Sequence, residues 1–235
     1  MSTAFLFFLA LHILHSIVTS RGEEPQGPRR LSFVAAITQI PVFVLACYLG
    51  FQQGAVSRQL VNPAFIGAGL LAGHLIFGLS LLITHRSWRD AASHFFDVGA
   101  IWNYTMDSPI ILTRFLSVSV AEELIWRVVA QPLLISVTGN VVAGITIVAV
   151  GFSLVHRHFF RNPLLVSFEF LCFALLLGCL YAYTGSLILV IVVHAVRDLE
   201  IAYLEYLIKV EELGDPQQAA RVMEQAYWSR RPENT

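Results

Sequence analysis

The stretch Ala121-Glu122-Glu123-Leu124-Ile125-Trp126-Arg127 places two adjacent carboxylates and an arginine inside a mainly apolar run from Ile110 to Val137. A run of about 20 apolar residues is long enough to cross a bilayer as a helix. A charged side chain at the middle of such a helix costs roughly 2.5–3.5 kcal/mol on insertion scales. The run therefore predicts a membrane helix in which the three charges have partners or a chemical role.

Glu123 and Arg127 are four residues apart, so on a helix they share one face and can form an ion pair. Glu122 is turned by about 100° from Glu123, because an α-helix has 3.6 residues per turn. Its carboxylate therefore points away from that pair. The spacing predicts a structural Glu123–Arg127 pair and leaves Glu122 available for chemistry.

The composition indicates a polytopic membrane protein. Of the 235 residues, 56% are hydrophobic and only 13% are charged, whereas soluble domains carry about 25% charged residues. The net charge of −1 and the lack of a basic block argue against nucleic acid as a partner. The lipid bilayer is the partner that the composition predicts, and the oligomeric state is not indicated.

The apolar runs predict an all-α helical bundle with about seven transmembrane helices. Between the third and fourth runs, residues 86–108 mix Trp, Phe and Tyr with charged side chains, which is typical of an interfacial helix. A short surface helix is predicted from Pro216 to Ser229. The seven predicted spans are Thr3–Thr19, Leu31–Phe51, Pro63–Thr84, Ile110–Val137, Val141–Val155, Leu164–Tyr183 and Leu187–Ile208.

The basic residues predict the orientation of the seven spans. Loops on one side of the seven-span arrangement hold nearly all of the basic residues, and the alternate loops hold only Arg58. Because cytoplasmic loops carry an excess of Lys and Arg, we expect an outside N-terminus and a cytoplasmic C-terminus, in a bacterial cell membrane. The basic residues on the predicted cytoplasmic side are Arg21, Arg29, Arg30, Arg86, Arg89, Arg114, Arg157, Arg161, Lys209, Arg221, Arg230 and Arg231.

Two further polar positions lie in the predicted spans. His156 ends the fifth span, and His194 lies four residues before Asp198 in the seventh. A carboxylate and two imidazoles on three helices can converge inside a bundle. There Glu122 could take a proton from water while the imidazoles orient that water or donate to an oxyanion. The alternatives are a headgroup position for His156 and an interhelical hydrogen bond for His194 and Asp198.

The remaining intramembrane polar residues are expected to be structural. Glu169 is expected to pair with an arginine such as Arg161 or Arg197, and His74 to form a structural hydrogen bond. Small residues let membrane helices approach closely. The third span carries four glycines that are expected to do so: Gly67, Gly69, Gly73 and Gly78.

Three motifs, in order along the chain, resemble the pattern EExxxR, FxxxH and HxxxN or HxxxD of the CAAX protease and bacteriocin-processing family, also called Abi or CPBP. The resemblance covers about residues 113–199 and implies a glutamate-type intramembrane endopeptidase that acts on a membrane-associated peptide or protein. The motifs of this chain are Glu122-Glu123-x-x-x-Arg127, Phe152-x-x-x-His156 and His194-x-x-x-Asp198.

By position, the resemblance implies that Glu122 activates water and that His156 helps to bind it. His194 and Asp198 would form the oxyanion side of the site, and the Glu123–Arg127 pair would brace the helix. The commoner family residue at the last position is Asn, whose amide can donate to an oxyanion, whereas Asp donates only when it is protonated. Asp198 would therefore either donate in its protonated form or orient His194.

We expect a division into N-terminal transmembrane helices with the interfacial helix (1–110), a catalytic helical core (111–210) and a cytoplasmic tail (211–235). No cofactor is expected. Three other functions stay open from the residues alone: a proton or ion relay, a non-catalytic membrane scaffold or immunity factor, and a haem or metal site, with zinc held by Glu122, His156 and His194.

Overall fold

The computed structural model describes residues 1–20, 33–52, 62–84 and 87–229, and these residues form helices and short connections without a strand. The predicted all-α class is confirmed. The helices are α1 (Ser2–Ser20), α2 (Phe33–Gln52), α3 (Pro63–Thr84), α4 (Trp88–Phe95), α5 (Val98–Asp107), α6 (Pro109–Glu123), a π-helical segment (Leu124–Ala130), α7 (Gln131–Thr138), α8 (Val141–Val155), α9 (Arg157–Arg161), α10 (Leu164–Thr184), α11 (Leu187–Leu213) and α12 (Pro216–Ser229).

Most helix bounds follow the predictions. Helices α3, α8 and α12 begin and end at the predicted residues, and α1, α2 and α10 do so within two residues. Helix α11 continues past the predicted end at Ile208 to Leu213. The single interfacial helix predicted for 86–108 is wrong, because α4 ends at Phe95 and α5 begins at Val98.

Three described helical segments are long and apolar enough to cross a membrane: Ser2–Ser20, Pro63–Ile83 and Leu164–Thr184. Two shorter segments, Ala36–Gln52 and Val141–Val155, are also apolar. These segments indicate an integral membrane protein, whereas the predicted count of seven spans is not confirmed. The predicted orientation is not tested either. Seven of its arginines, namely Arg21, Arg29, Arg30, Arg58, Arg86, Arg230 and Arg231, lie outside the described residues.

The outer surface of the long helices is apolar. Large hydrophobic side chains such as Phe7, Phe43, Leu71 and Phe168 are exposed on four different helices. Exposed apolar patches of this kind are rare on soluble monomers, whereas lipid chains are a suitable environment for them. The surface therefore agrees with a chain that lies in a bilayer.

The predicted fourth span is one helical run, but it is not a uniform α-helix. The run passes from α6 through the π-helical segment into α7. The segment begins directly after Glu123 and contains Arg127, whose side chain is fully buried. A π-helix adds residues to the turn and is frequent at functional sites. The segment therefore changes the direction of the side chains that follow Glu123.

Helix α11 lies in the interior and packs against α3, α6, α10 and α12. Its contact with α3 depends on small residues. A Cβ atom on Gly69 would lie 2.7 Å from Val192 Cβ, and one on Gly73 would lie 2.7 Å from Val196 Cβ. The two valines flank His194 in sequence, so this contact positions the middle of α11.

The other two glycines of α3 differ from each other. A Cβ atom on Gly78 would lie 2.7 Å from Phe95 Cε2, which agrees with close packing. A Cβ atom on Gly67 meets no described atom within 4 Å. The prediction of close packing is therefore wrong for Gly67.

We expect Gly73→Leu to lower the unfolding temperature of the protein in detergent, because the new side chain would push α3 away from α11. Overpacking costs about 1–3 kcal/mol, and each kcal/mol shifts the transition of a chain of this size by roughly 2–4 °C. The matched control is Gly67→Leu, which should leave the unfolding temperature nearly unchanged. Equal shifts for both variants would contradict the packing role of Gly73.

Candidate active site

Three parts of the chain bring the four candidate site residues together. Glu122 lies near the end of α6, His156 lies between α8 and α9, and His194 and Asp198 lie on α11. Glu122 Oε1 is 3.6 Å from His156 Nε2, and Glu122 Oε2 is 3.7 Å from His194 Nε2. Asp198 Oδ2 is 3.3 Å from His194 Nε2. The structure thus places one carboxylate between two imidazoles, with a second carboxylate beside it.

The position of His156 follows from the end of α8. Its backbone (φ −94, ψ 116) is extended and stops the helix. Its Nδ1 lies 2.7 Å from the carbonyl oxygen of Phe152. A carbonyl only accepts, so Nδ1 carries the proton and Nε2 faces Glu122. The side chain is 21% exposed and the Glu122 side chain 24%, so both are partly buried where they meet in the polar cluster.

Glu123 has two partners and not one. Its Oε2 is 3.0 Å from Arg127 Nε, and both side chains are fully buried. Its Oε1 accepts a hydrogen bond from His194 Nδ1 at 2.7 Å. The sequence indicated the Arg127 contact from its spacing but gave no signal for the His194 contact, which joins α6 to α11. A buried carboxylate between two nitrogen donors satisfies the requirement that buried charges be paired.

The two ring nitrogens of His194 face different partners. Glu123 occupies Nδ1, so Nε2 is the nitrogen that faces Glu122 and Asp198. Sequence reasoning considered Asp198 as the residue that orients His194. In the structure Glu123 contacts the remote nitrogen, whereas Asp198 lies on the same side of the ring as Glu122. The His194 side chain is only 3% exposed, so its ring is held in this orientation.

Arg127 lies beside the site and packs against Phe152. Its guanidinium carbon is 5.1 Å from the centre of the Phe152 ring, a distance at which a cation is attracted to an aromatic face. Phe152 also packs on His156, with ring centres 4.5 Å apart. Arg127 therefore contacts both Glu123 and Phe152, and Phe152 in turn packs on His156.

A cavity of about 500 Å³ opens beside the cluster. One side of it is polar and includes His156, His194 and Asp198. A cavity that combines apolar walls with a few convergent polar groups is typical of a binding site. Its apolar walls are formed by Phe77, Leu81, Phe115, Phe170, Ile201 and Leu204.

Two further polar contacts between helices lie outside the four-residue cluster. Glu169 pairs with Arg197, one of the two arginines considered from sequence, through contacts of 2.9 and 3.0 Å. His74 Nδ1 lies 2.7 Å from Glu200 Oε1, so the predicted structural hydrogen bond of His74 is present. Sequence reasoning did not single out Glu200, because its partner lies 126 residues away.

The comparisons with known proteins agree with the three motifs. Residues 104–199 match a family model described as Rce1-like, type II CAAX prenyl endopeptidase Rce1-like. The matched range contains Glu122, His156, His194 and Asp198. No curated protein and no solved structure matches the chain at a significant level. The family match agrees with the resemblance that the motifs indicated: residues 104–199 of this chain are similar to the Rce1-like CAAX prenyl endopeptidase family.

Proposed function

We propose that this protein is an intramembrane endopeptidase that hydrolyses a peptide bond of a membrane-associated peptide or protein with water activated by Glu122. One observation carries the proposal: the Glu122 carboxylate lies between the Nε2 atoms of His156 and His194, at 3.6 and 3.7 Å. The family match supports the same reaction class, since the matching family is described as one of endopeptidases.

The distances suit a water molecule in contact with several of these groups. A separation of 3.6 Å is too long for a direct hydrogen bond, and a bridging water is a common way to connect polar groups at such distances. We propose that Glu122 and His156 Nε2 both accept hydrogen bonds from the attacking water, which lies to one side of the line that joins the two groups. Both groups can accept a proton from it, because the Nδ1 proton of His156 is bound to the carbonyl of Phe152.

In the proposed reaction, Glu122 removes a proton from the water while the water oxygen attacks the carbonyl carbon of the substrate. The electrons of the C=O bond move to its oxygen, which becomes an oxyanion. We assign the stabilisation of that oxyanion to His194 in its doubly protonated form, whose Nδ1–H donates to Glu123 and whose Nε2–H donates to the oxyanion. The oxyanion electrons then re-form the C=O bond as the C–N bond breaks, and Glu122 returns its proton to the leaving amine.

We propose the substrate class from the name of the matching family and from the residues that line the cavity. The family description names a prenyl endopeptidase of CAAX sequences, and the cavity of about 500 Å³ has several aromatic and aliphatic wall residues. We therefore propose a substrate with an apolar part, and the probe for all activity measurements is a peptide that ends in a prenylated CAAX sequence. The same peptide without the prenyl group is measured beside it.

Glu122→Gln should abolish cleavage of the probe by protein in proteoliposomes. An amide cannot take the proton from water, and loss of a general base typically costs about 10²–10⁴-fold in rate. The matched control is Glu212→Gln, which changes an exposed carboxylate that pairs with Lys209 and should leave the rate unchanged. Cleavage by Glu122→Gln at the rate of the unmodified protein would refute the assignment.

Asp198→Asn should retain most of the activity, within about tenfold of the unmodified protein, because an amide can donate to the oxyanion and needs no counter-charge. His194→Ala should lose far more, roughly 10²-fold or beyond, because it removes the proposed oxyanion donor. The measurement is the initial cleavage rate of the probe for each variant. A larger loss for Asp198→Asn than for His194→Ala would contradict these roles.

We propose that hydrolysis needs no bound metal. A zinc ion at this site would be held by Glu122, His156 and His194. In the proposed reaction the same side chains bind the attacking water and stabilise the oxyanion. Treatment with EDTA should therefore leave the cleavage rate unchanged, and purified active protein should contain far less than one zinc per chain. Loss of activity in EDTA that added zinc restores would show that a metal site is present instead.

A further inference from the structure

We infer that Arg197 is a positioning residue of the proposed site, which holds Asp198 in place while Glu169 holds Arg197. This inference rests on the proposed function and adds two residues to it. Neither residue belongs to the three motifs, and both lie against the cavity beside Asp198.

The guanidinium of Arg197 connects two helices to the site. Its Nη2 donates to both carboxylate oxygens of Glu169 on α10, at 3.0 and 2.9 Å. Its Nη1 donates to Oδ1 of the neighbouring Asp198 at 3.3 Å. The other oxygen of Asp198 is the one that lies 3.3 Å from His194 Nε2. Because Arg197 binds Oδ1, the Asp198 oxygen that faces His194 is Oδ2.

Both terminal nitrogens of the guanidinium are held by carboxylates, whereas its buried Nε has no hydrogen-bond partner among the described residues. Arg197 is 5% exposed, and its guanidinium carbon lies 4.4 Å from the centre of the Phe173 ring. Glu169 is 6% exposed and also accepts a hydrogen bond from Ser80 on α3. Both Glu169 oxygens accept from the same nitrogen, so these charge-assisted hydrogen bonds fix the position of Nη2. Helices α3, α10 and α11 thus determine together where Nη1 points.

The charges explain why Asp198 needs this support. Glu122 and Asp198 both face His194 Nε2, so two carboxylates lie close to one imidazole. Like charges at such a distance repel, and a buried carboxylate without a partner is unfavourable. Arg197 brings a permanent positive charge to the far side of Asp198. An uncharged Asn at residue 198 would not need it.

A purely structural pair would behave differently. If the Arg197–Glu169 contact only joined α10 to α11, its loss would lower stability by the same amount whatever residue stands at 198. If Arg197 acts through Asp198, its loss must cost activity only while residue 198 carries a charge. A double-mutant cycle separates the two cases, since residues in one hydrogen-bond network show non-additive effects.

The test measures kcat and KM for cleavage of the prenylated CAAX peptide by the full chain in proteoliposomes. Arg197→Gln should lower kcat by about tenfold or more with little change in KM, because the substrate still binds but Asp198 is no longer held. In the Asp198→Asn background the same change should lower kcat by less than about threefold. Arg197→Lys, which keeps the charge but cannot form the same planar contacts, should fall between these values.

Two carboxylate variants provide the matched comparison. Glu169→Gln weakens the support of Arg197 and should lower kcat, whereas Glu200→Gln changes another buried carboxylate, whose partner is His74, and should not. If Arg197→Gln does not fold, Arg197→Lys completes the cycle, and the unfolding temperature of each variant is recorded. Equal loss of kcat in both backgrounds, or unchanged kcat for Arg197→Gln, would overturn the inference.

The proposed function and this inference fail in different ways. If the unmodified protein and Glu122→Gln do not differ, the proposed function is wrong. If Glu122→Gln is inactive while the Arg197 cycle is additive, the proposed function stands and the positioning role of Arg197 is wrong.

Discussion

A charge that is buried in an apolar helical bundle must meet a partner, because its transfer out of water costs far more than a single contact returns. This constraint applies to Glu123 and Arg127 in the centre of the protein, where both side chains are fully buried. Glu123 satisfies it with two partners, Arg127 and His194. The same carboxylate that neutralises the arginine therefore fixes an imidazole of another helix, and the rest of the site is arranged around that contact.

Both imidazoles of the site follow one rule: each has its Nδ1 bound to a fixed acceptor and its Nε2 directed at Glu122. The acceptor is the carbonyl of Phe152 for His156 and the carboxylate of Glu123 for His194. Groups that are held in advance need no reorganisation when charge develops, which is the main requirement for electrostatic stabilisation of a transition state. In the proposed reaction, the contacts with Phe152 and Glu123 would hold both imidazoles in place before charge develops.

Helix positions were largely predictable, because they follow from local composition and periodicity. The bounds of α3, α8 and α12 agree with the predicted residues, since Pro and Gly at their ends act locally. The π-helical segment was not predictable, because no residue between Leu124 and Ala130 marks it and the packing of neighbouring helices stabilises it. The break between α4 and α5 was missed because the mix of aromatic and charged side chains in residues 86–108 indicates an interface but not where a helix ends.

The sequence by itself determined the all-α class, the membrane environment and the identity of the polar groups, since charges in apolar runs are visible without a structure. It also indicated Glu123–Arg127, a contact within one helix. Only the tertiary structure decided which atoms meet between helices: Glu123 with His194, and Arg197 with both Glu169 and Asp198. The reason is that these contacts depend on how each helix is rotated about its axis. That rotation is set by packing such as Gly73 against Val196 and by the π-helical turn, and not by the spacing of residues along the chain.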